Sequence, residues 1–258
     1  RLNMQHRIQP LPLLVALILL TLLIFCVALA VGSVSLPLHS VIEVLGGGGD
    51  PLIRTLVLEL RLPRALTAFA VGGLLAMAGA LMQVLLRNPL ADPYILGVSG
   101  GAAVGALGSI LLGIGGYWIS GSAFAGALIS MLIVFVLAHG RGGWTPTRLL
   151  LTGIVVAFGW GALISFMLVL SDDASLRGML FWLMGDLSYR GTGWLPLAVL
   201  GIGLFAWLPF ARHLNVLARG ETLAEALGIA VRPFSIAIYI SASLFTAIAV
   251  TEAGAIGF

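Results

Sequence analysis

The chain has 258 residues, of which 60% are hydrophobic and 9% charged, with a formal net charge of +3. Soluble domains carry about 25% charged residues, so this composition excludes a soluble globular protein and marks a polytopic membrane protein. All 13 basic residues are arginine; a Walker phosphate loop needs a Gly-Lys pair, and scattered arginines make no basic stripe for nucleic acid.

Residues 1–10 are polar, and Leu11 to Val31 reads as a first span. Its apolar run exceeds a signal-peptide core, which predicts an uncleaved helix. Cys26 is alone, so no intrachain disulfide forms. Gly32 to Leu60 reads as a loop, with a turn at Gly46 to Gly49 before Asp50-Pro51. Ala65 to Leu86 carries no charge and is long enough to cross a hydrocarbon core of about 30 Å. The polar hinge Arg87-Asn88-Pro89-Leu90-Ala91-Asp92-Pro93 then leads to a third span, Ile95–Leu112.

Tyr117 and Trp118 suit a membrane interface before a fourth span, Ile119–Ala138. A short polar loop precedes the fifth, Leu149–Leu170. Ser171 to Thr192 is too polar to span, and its middle, Leu176 to Met184, predicts a short interfacial helix. The sixth span is Trp194–Phe210, the basic loop Ala211–Arg232 follows, and the seventh is Phe234–Val250. The fold class is therefore all-α, with seven transmembrane helices in a single domain over 1–258. An odd number of spans separates the termini. With the N-terminus cytoplasmic, the inner loops hold eight arginines (Arg1, Arg7, Arg87, Arg141, Arg148, Arg212, Arg219, Arg232) against five outside, as the positive-inside rule requires.

Small residues recur at Gly72, Ala76 and Ala80, with Gly79 beside them, and again at Gly97, Gly101 and Gly105. Spacing of i, i+4 makes a smooth helix face that another backbone can approach. No catalytic constellation stands out: His6, His39, His139 and His213 lie in separate loops, which predicts neither metal site nor cofactor. The span interiors offer Gln83, Thr152 and Ser165 rather than the acids or histidines of ion-driven transporters. A transporter of this composition draws on an outside energy source. Within 211–232, Thr222-x-x-Glu225 has capping-box spacing and Gly228 can stop a helix, predicting a short helix over Leu223, Ala224, Glu225, Ala226 and Leu227. The residues leave open whether it docks a partner or only connects two spans.

The order Arg61-Leu62-Pro63-Arg64, Ala78-Gly79 with Gln83, Asn88-Pro89-Leu90-Ala91-Asp92-Pro93 and Leu96-Gly97-Val98-Ser99-Gly100-Gly101-Ala102 resembles the FecCD family, as do Leu149 to Gly153 and the chain's end. These are membrane permeases of type II ABC importers for iron–siderophore complexes, haem and vitamin B12. The resemblance implies a ten-helix fold working as a homodimer in the bacterial inner membrane, with two ATPase subunits and a periplasmic binding protein. It implies that the chain lacks the last three helices. It also implies a coupling helix in 211–232 (Thr222 to Gly228), docking of the binding protein at Arg61 and Arg64, and a cytoplasmic gate at Pro146 and Thr147. The family has small hydroxyl residues at the gate where this chain has Pro146; the residues themselves describe a helix start with proline near N1. For the arginines, interfacial anchoring is the reading that needs no partner. An ion-coupled secondary transporter and a seven-helix scaffold are the rival classes.

Overall fold

The computed structural model describes residues 10–139, 145–187 and 193–256, all of whose regular elements are helical. The arginines Arg1, Arg7, Arg141 and Arg190 and His6 lie outside the described residues. Two compact units divide the chain, residues 10–66 and residues 67–187 with 193–256.

The first unit holds α1 (Pro10–Ala30), α2 (Leu38–Leu45), α3 (Pro51–Thr55), a π-helical segment (Leu56–Arg61) and the first turn of α4 (Leu62–Leu86). α1 exposes leucines and isoleucines on nearly every side; only 11% of its spanning window is buried. That suits a helix solvated by lipid, where apolar side chains need no protein cover. The segment expected as a loop over 32–60 is instead mostly helical. In α2, Val41 and Val44 fall three apart on one face and join Leu29, Leu36 and Val57 in a small core. α3 starts where Asp50 accepts a hydrogen bond from the Leu52 amide at 2.8 Å, with Pro51 at N1.

The second unit continues α4 and adds α5 (Val98–Leu111), α6 (Tyr117–Ala138), α7 (Pro146–Leu170), α8 (Asp173–Met184), α9 (Trp194–Trp207), α10 (Ala211–Leu217), α11 (Glu221–Ala226) and α12 (Val231–Ala253). Short 3₁₀ turns sit at Pro93–Leu96 and Leu208–Phe210. Six helical runs among the described residues are long and apolar enough to cross a membrane: 11–30, 51–86, 117–138, 146–170, 194–217 and 231–253. α12 is half buried and threads the core, with Ile238, Tyr239, Ala242 and Val250 inside. The Tyr239 hydroxyl donates to the Met131 carbonyl of α6 at 2.7 Å, so the polar atom of a buried side chain is satisfied. α7 is the peripheral counterpart, 11% buried, with Val155, Phe158 and Val169 turned outward.

The helix expected over Ile95–Leu112 is shorter than the sequence implies, Val98–Leu111. α5 has only 14 residues, about 21 Å at 1.5 Å per residue. The expected helix breaks at Gly97, whose φ of +69° is left-handed. The interfacial helix expected at Leu176–Met184 starts earlier, at Asp173, beyond Asp172. The Ser175 hydroxyl, with help from backbone amides, holds the Asp172 carboxyl below its usual range.

Candidate functional site

One end of the second unit gathers the polar hinge and α11. α4 ends at Leu86, and Arg87 takes φ +49°, the one positive φ on a non-glycine among the described residues. The hinge folds on itself: Asn88 Oδ1 accepts from the Leu90 amide at 2.9 Å and Asp92 Oδ1 from the Tyr94 amide at 2.7 Å. Short polar side chains satisfying nearby amides make a stiff turn. Ala91 and Pro93 are buried while Asn88, Pro89 and Leu90 are exposed.

From this turn the Arg87 guanidinium reaches Glu221 Oε1 at 3.1 Å, in the first turn of α11. The contact also bears on topology. Three long runs, α6, α7 and α9–α10, lie between residues 87 and 221. Two groups in contact at one face of a bilayer are separated by an even number of crossings. A crossing by α5, which falls short of about 30 Å, would make the number even. The remainder is the irregular stretch Ala91–Leu96, and Ala91, Pro93 and Leu96 are buried in protein, as non-helical backbone at membrane depth requires.

α11 has six residues, too few for a helix stable alone. Its stop is as the sequence implies: Gly228 at φ +80° donates to the Glu225 carbonyl and Ile229 donates to the Ala224 carbonyl, each at 2.9 Å. Its start differs. The cap position is Gly220, without a side-chain hydrogen bond, so Thr222 lies inside the first turn and is not a cap. Ala224 is fully buried against the unit. Leu223 and Leu227, four apart, are 43% and 62% exposed, and Thr222, Glu225, Ala226 and Gly228 are exposed as well.

The small residues divide into two sets. A Cβ on Gly101 would stand 2.6 Å from Ser130 Cβ and closer still to the Gly126 carbonyl; one on Gly105 would stand 2.7 Å from the Ser122 carbonyl carbon. These glycines seat α5 on α6 backbone to backbone. Gly72 and Ala76 do not pack: they lie on the exposed face of α4, and nothing comes within 4 Å of a Cβ on Gly72. The buried face of α4 is Val71, Leu74, Ala78, Leu81 and Met82. A Cβ on Gly79 would make only ordinary contact with Pro93, at 3.8 Å. Gly97 marks the break before α5. Its carbonyl accepts from Ser130 Oγ at 2.8 Å, and Ser130 Oγ accepts from Trp160 Nε1 at 2.8 Å. A shallow depression of about 230 Å³ beside Trp160 is lined by Val156, Gly159 and Leu163.

In the first unit, Arg61 is committed to α1. Its Nη1 donates to the Leu29 and Ala30 carbonyls at 2.7 and 2.9 Å, and Nη2 to the Val34 carbonyl. A guanidinium there satisfies the open carbonyls of a helix C-terminus. Arg64 is exposed and has no hydrogen bond or ion pair to a described residue. Pro146 and Thr147 occupy the start of α7: Thr145 Oγ1 accepts from the Arg148 amide at 3.3 Å and Pro146 follows at N1.

The residues that sequence reasoning missed are Glu221, Ser130 and Trp160, and the role of Arg87. Asp92-Pro93 was a legible signal, since an acid before proline at N1 predicts a cap. The long-range partners carried none.

Residues 19–258 match the profile of the FecCD transport family. The ABC transporter permease protein YvrB of Bacillus subtilis is 38% identical over 245 residues, covering 88% of this chain and 69% of that protein. The cobalamin import system permease protein BtuC of Halobacterium salinarum is 42% identical over 213 residues, covering 80% of this chain and 56% of that protein. The chain thus spans between about half and two thirds of these relatives. An inward-facing structure described as a metal-chelate type ABC transporter superposes with TM-score 0.81 at 30% identity, covering 95% of this chain and 77% of that one.

Proposed function

The chain belongs to the FecCD transport family, and from that membership we propose that it is the membrane-spanning permease part of an ATP-binding cassette importer. The match over residues 19–258, with the backbone agreement to a metal-chelate type transporter, carries this reading. The cargo class is a large chelate: an iron–siderophore complex, haem or cobalamin. A relative named for cobalamin import and a neighbour described as metal-chelate type support that class. Two copies form the path, two separate ATPase subunits act from the cytoplasm, and a periplasmic binding protein delivers cargo. The membrane is the bacterial plasma membrane and the N-terminus is cytoplasmic.

The mechanism is alternating access, with no bond made or broken in the cargo. α11 is the coupling element. It draws its position from buried Ala224 and from Glu221 paired with Arg87, and offers Leu223 and Leu227 to the ATPase. A short helix held by tertiary contacts moves as a body when its partner closes. At the α7 entrance Pro146 and Thr147 take the gate position, with Thr147 supplying an exposed hydroxyl. At the outer rim Arg64 docks the binding protein through directional guanidinium–carboxylate bonds. Arg61 serves it indirectly, by holding the end of α1. No observation favours ion coupling; Glu252 lies in the last turn of α12, at its end rather than its middle.

The test is uptake into proteoliposomes by the full polypeptide carrying this chain, assembled with its ATPase and binding protein. ATP-dependent accumulation of labelled cobalamin, haem or a ferric siderophore is the expected result. Uptake driven by a proton or sodium gradient without ATP would overturn the reading.

A further inference from the structure

The first unit contains a helix with more apolar surface than its core covers. α2 turns Val41 and Val44 into the core shared with Leu29, Leu36 and Val57. Leu38, Ile42 and Leu45 fall at i, i+4 and i+7, so they form a second apolar row on a neighbouring face. They are 56%, 67% and 53% exposed. His39 and Glu43, also four apart, are exposed on the remaining side with Ser40 beside them. Exposed leucines scattered singly need no explanation, but three large apolar residues in register on an eight-residue helix make a ridge. α2 therefore meets three surroundings: the protein core, water and a further apolar phase.

We propose that this ridge lies in the headgroup–acyl boundary of the bilayer, making α2 an interfacial helix at the C-terminal end of the first span. The depth of α2 follows from its ties to α1. α1 has 21 residues, about 31 Å at 1.5 Å per residue, which matches a hydrocarbon core of about 30 Å. The chain returns to the end of α1 before α2 begins: the Leu36 amide donates to the Ala30 carbonyl at 2.9 Å, and Pro37 is the cap position of α2. Arg61 is bound to the Leu29 and Ala30 carbonyls, and Val57, one turn before it, shares the core with the two valines of α2. α2 is thereby held within roughly one helical turn, about 5 Å, of the end of α1. Headgroups occupy roughly 5–7 Å beyond the hydrocarbon on each side, so α2 falls in that layer. Its ridge is thus next to the bare apolar surface of α1, whose spanning window is 11% buried. A protein arriving from the water would meet His39 and Glu43, on a different side of the helix. α2 carries no lysine or arginine, so the contact is one of apolar area and does not call for anionic lipid.

The experiment places nitroxide labels on single cysteines, Leu38→Cys, His39→Cys, Ile42→Cys, Glu43→Cys and Leu45→Cys, in the full polypeptide carrying Cys26→Ser, reconstituted in nanodiscs. Leu20→Cys in α1 serves as the lipid reference. An unchanged helical circular-dichroism spectrum and monodisperse elution establish that each labelled variant keeps the native fold. Collisions with oxygen, which concentrates in lipid, are compared with collisions with a water-soluble nickel chelate. The oxygen-to-nickel ratio is expected to be at least about fivefold higher at residues 38, 42 and 45 than at 39 and 43, equally in neutral and anionic lipid. Equal ratios at all these positions of α2, with free access to nickel, would place the ridge in water and overturn the proposal. Low collision rates with both reagents at 38, 42 and 45 would show the ridge packed against protein, from a second copy or from the rest of the polypeptide, and would overturn it too. Shielding that appears only when the binding protein is added would make that protein the occupant instead.

Discussion

Replacing Gly105 by alanine isolates the close approach of α5 and α6. A Cβ at residue 105 would stand 2.7 Å from the Ser122 carbonyl carbon. Carbon atoms in contact sit about 3.5–4.0 Å apart, so the two helices must separate by roughly 1 Å. Overpacking of that size costs about 1–3 kcal/mol. Alanine also favours a helix over glycine by about 1 kcal/mol, which would mask part of the loss. Gly72→Ala is the matched control, because a Cβ there has nothing within 4 Å and sits in a helix of the same kind. The propensity gain then cancels, and the difference between the two variants reports the clash alone. The assay is SDS-driven unfolding in mixed micelles followed by tryptophan fluorescence. Gly105→Ala should lie about 1–3 kcal/mol below Gly72→Ala. Equal stability within about 0.5 kcal/mol would show that the helices are not in backbone contact.

Arg61→Ala should destabilise the first unit by about 1–3 kcal/mol, because three carbonyls lose a charged donor; thermal unfolding in detergent reads it, and an unchanged midpoint would remove the capping role. Arg64→Glu should leave that midpoint unchanged and weaken binding-protein docking, more so at low salt, as measured by surface binding to the reconstituted complex. Single cysteines at 88 and 220 should be labelled from one side of sealed vesicles and a cysteine at 115 from the other; labelling of all three from one side would remove α5 as a crossing. Gly228→Val should uncouple ATP hydrolysis from uptake, since a left-handed position costs a β-branched residue about 1–2 kcal/mol or more, whereas Thr222→Ala should leave uptake per ATP nearly unchanged.

The long spans were legible because lipid demands an uninterrupted apolar helix, a demand that run length alone expresses. What the sequence hid was partnership. Gly72 with Ala76 and Gly101 with Gly105 share one spacing, yet only the second pair has a backbone opposite it. Spacing describes a helix face and is silent on what lies across from it. Gly97 read as another small residue of a long helix, and its left-handed φ cut the helix short. α2 was obscured by Glu43 and the glycines after it, although Val41 and Val44 carried the amphipathic signal. The Thr222–Glu225 spacing predicted a cap, but the chain turns two residues sooner, at Gly220 with φ +135°. Arg61 was legible as a cation near a helix end; its acceptors, about thirty residues earlier, were not. The roles of the coupling, docking and gate residues rest on resemblance, because a surface that binds another protein carries its logic in that protein.

The junction at Gly97 bears on whether a polar break before an apolar helix can relay protons. Proton hopping along hydrogen bonds requires every member to take a proton on one side and release it on the other. The chain here begins at the Trp160 indole, which only donates, and ends at the Gly97 carbonyl, which only accepts; Ser130 alone can do both. A proton arriving has no acceptor at the indole, and one departing has no donor at the carbonyl. The same two bonds that satisfy the interrupted backbone therefore leave no relay: the serine sits between a group that only gives and a group that only takes, and the break in the helix is closed to proton exchange along this path.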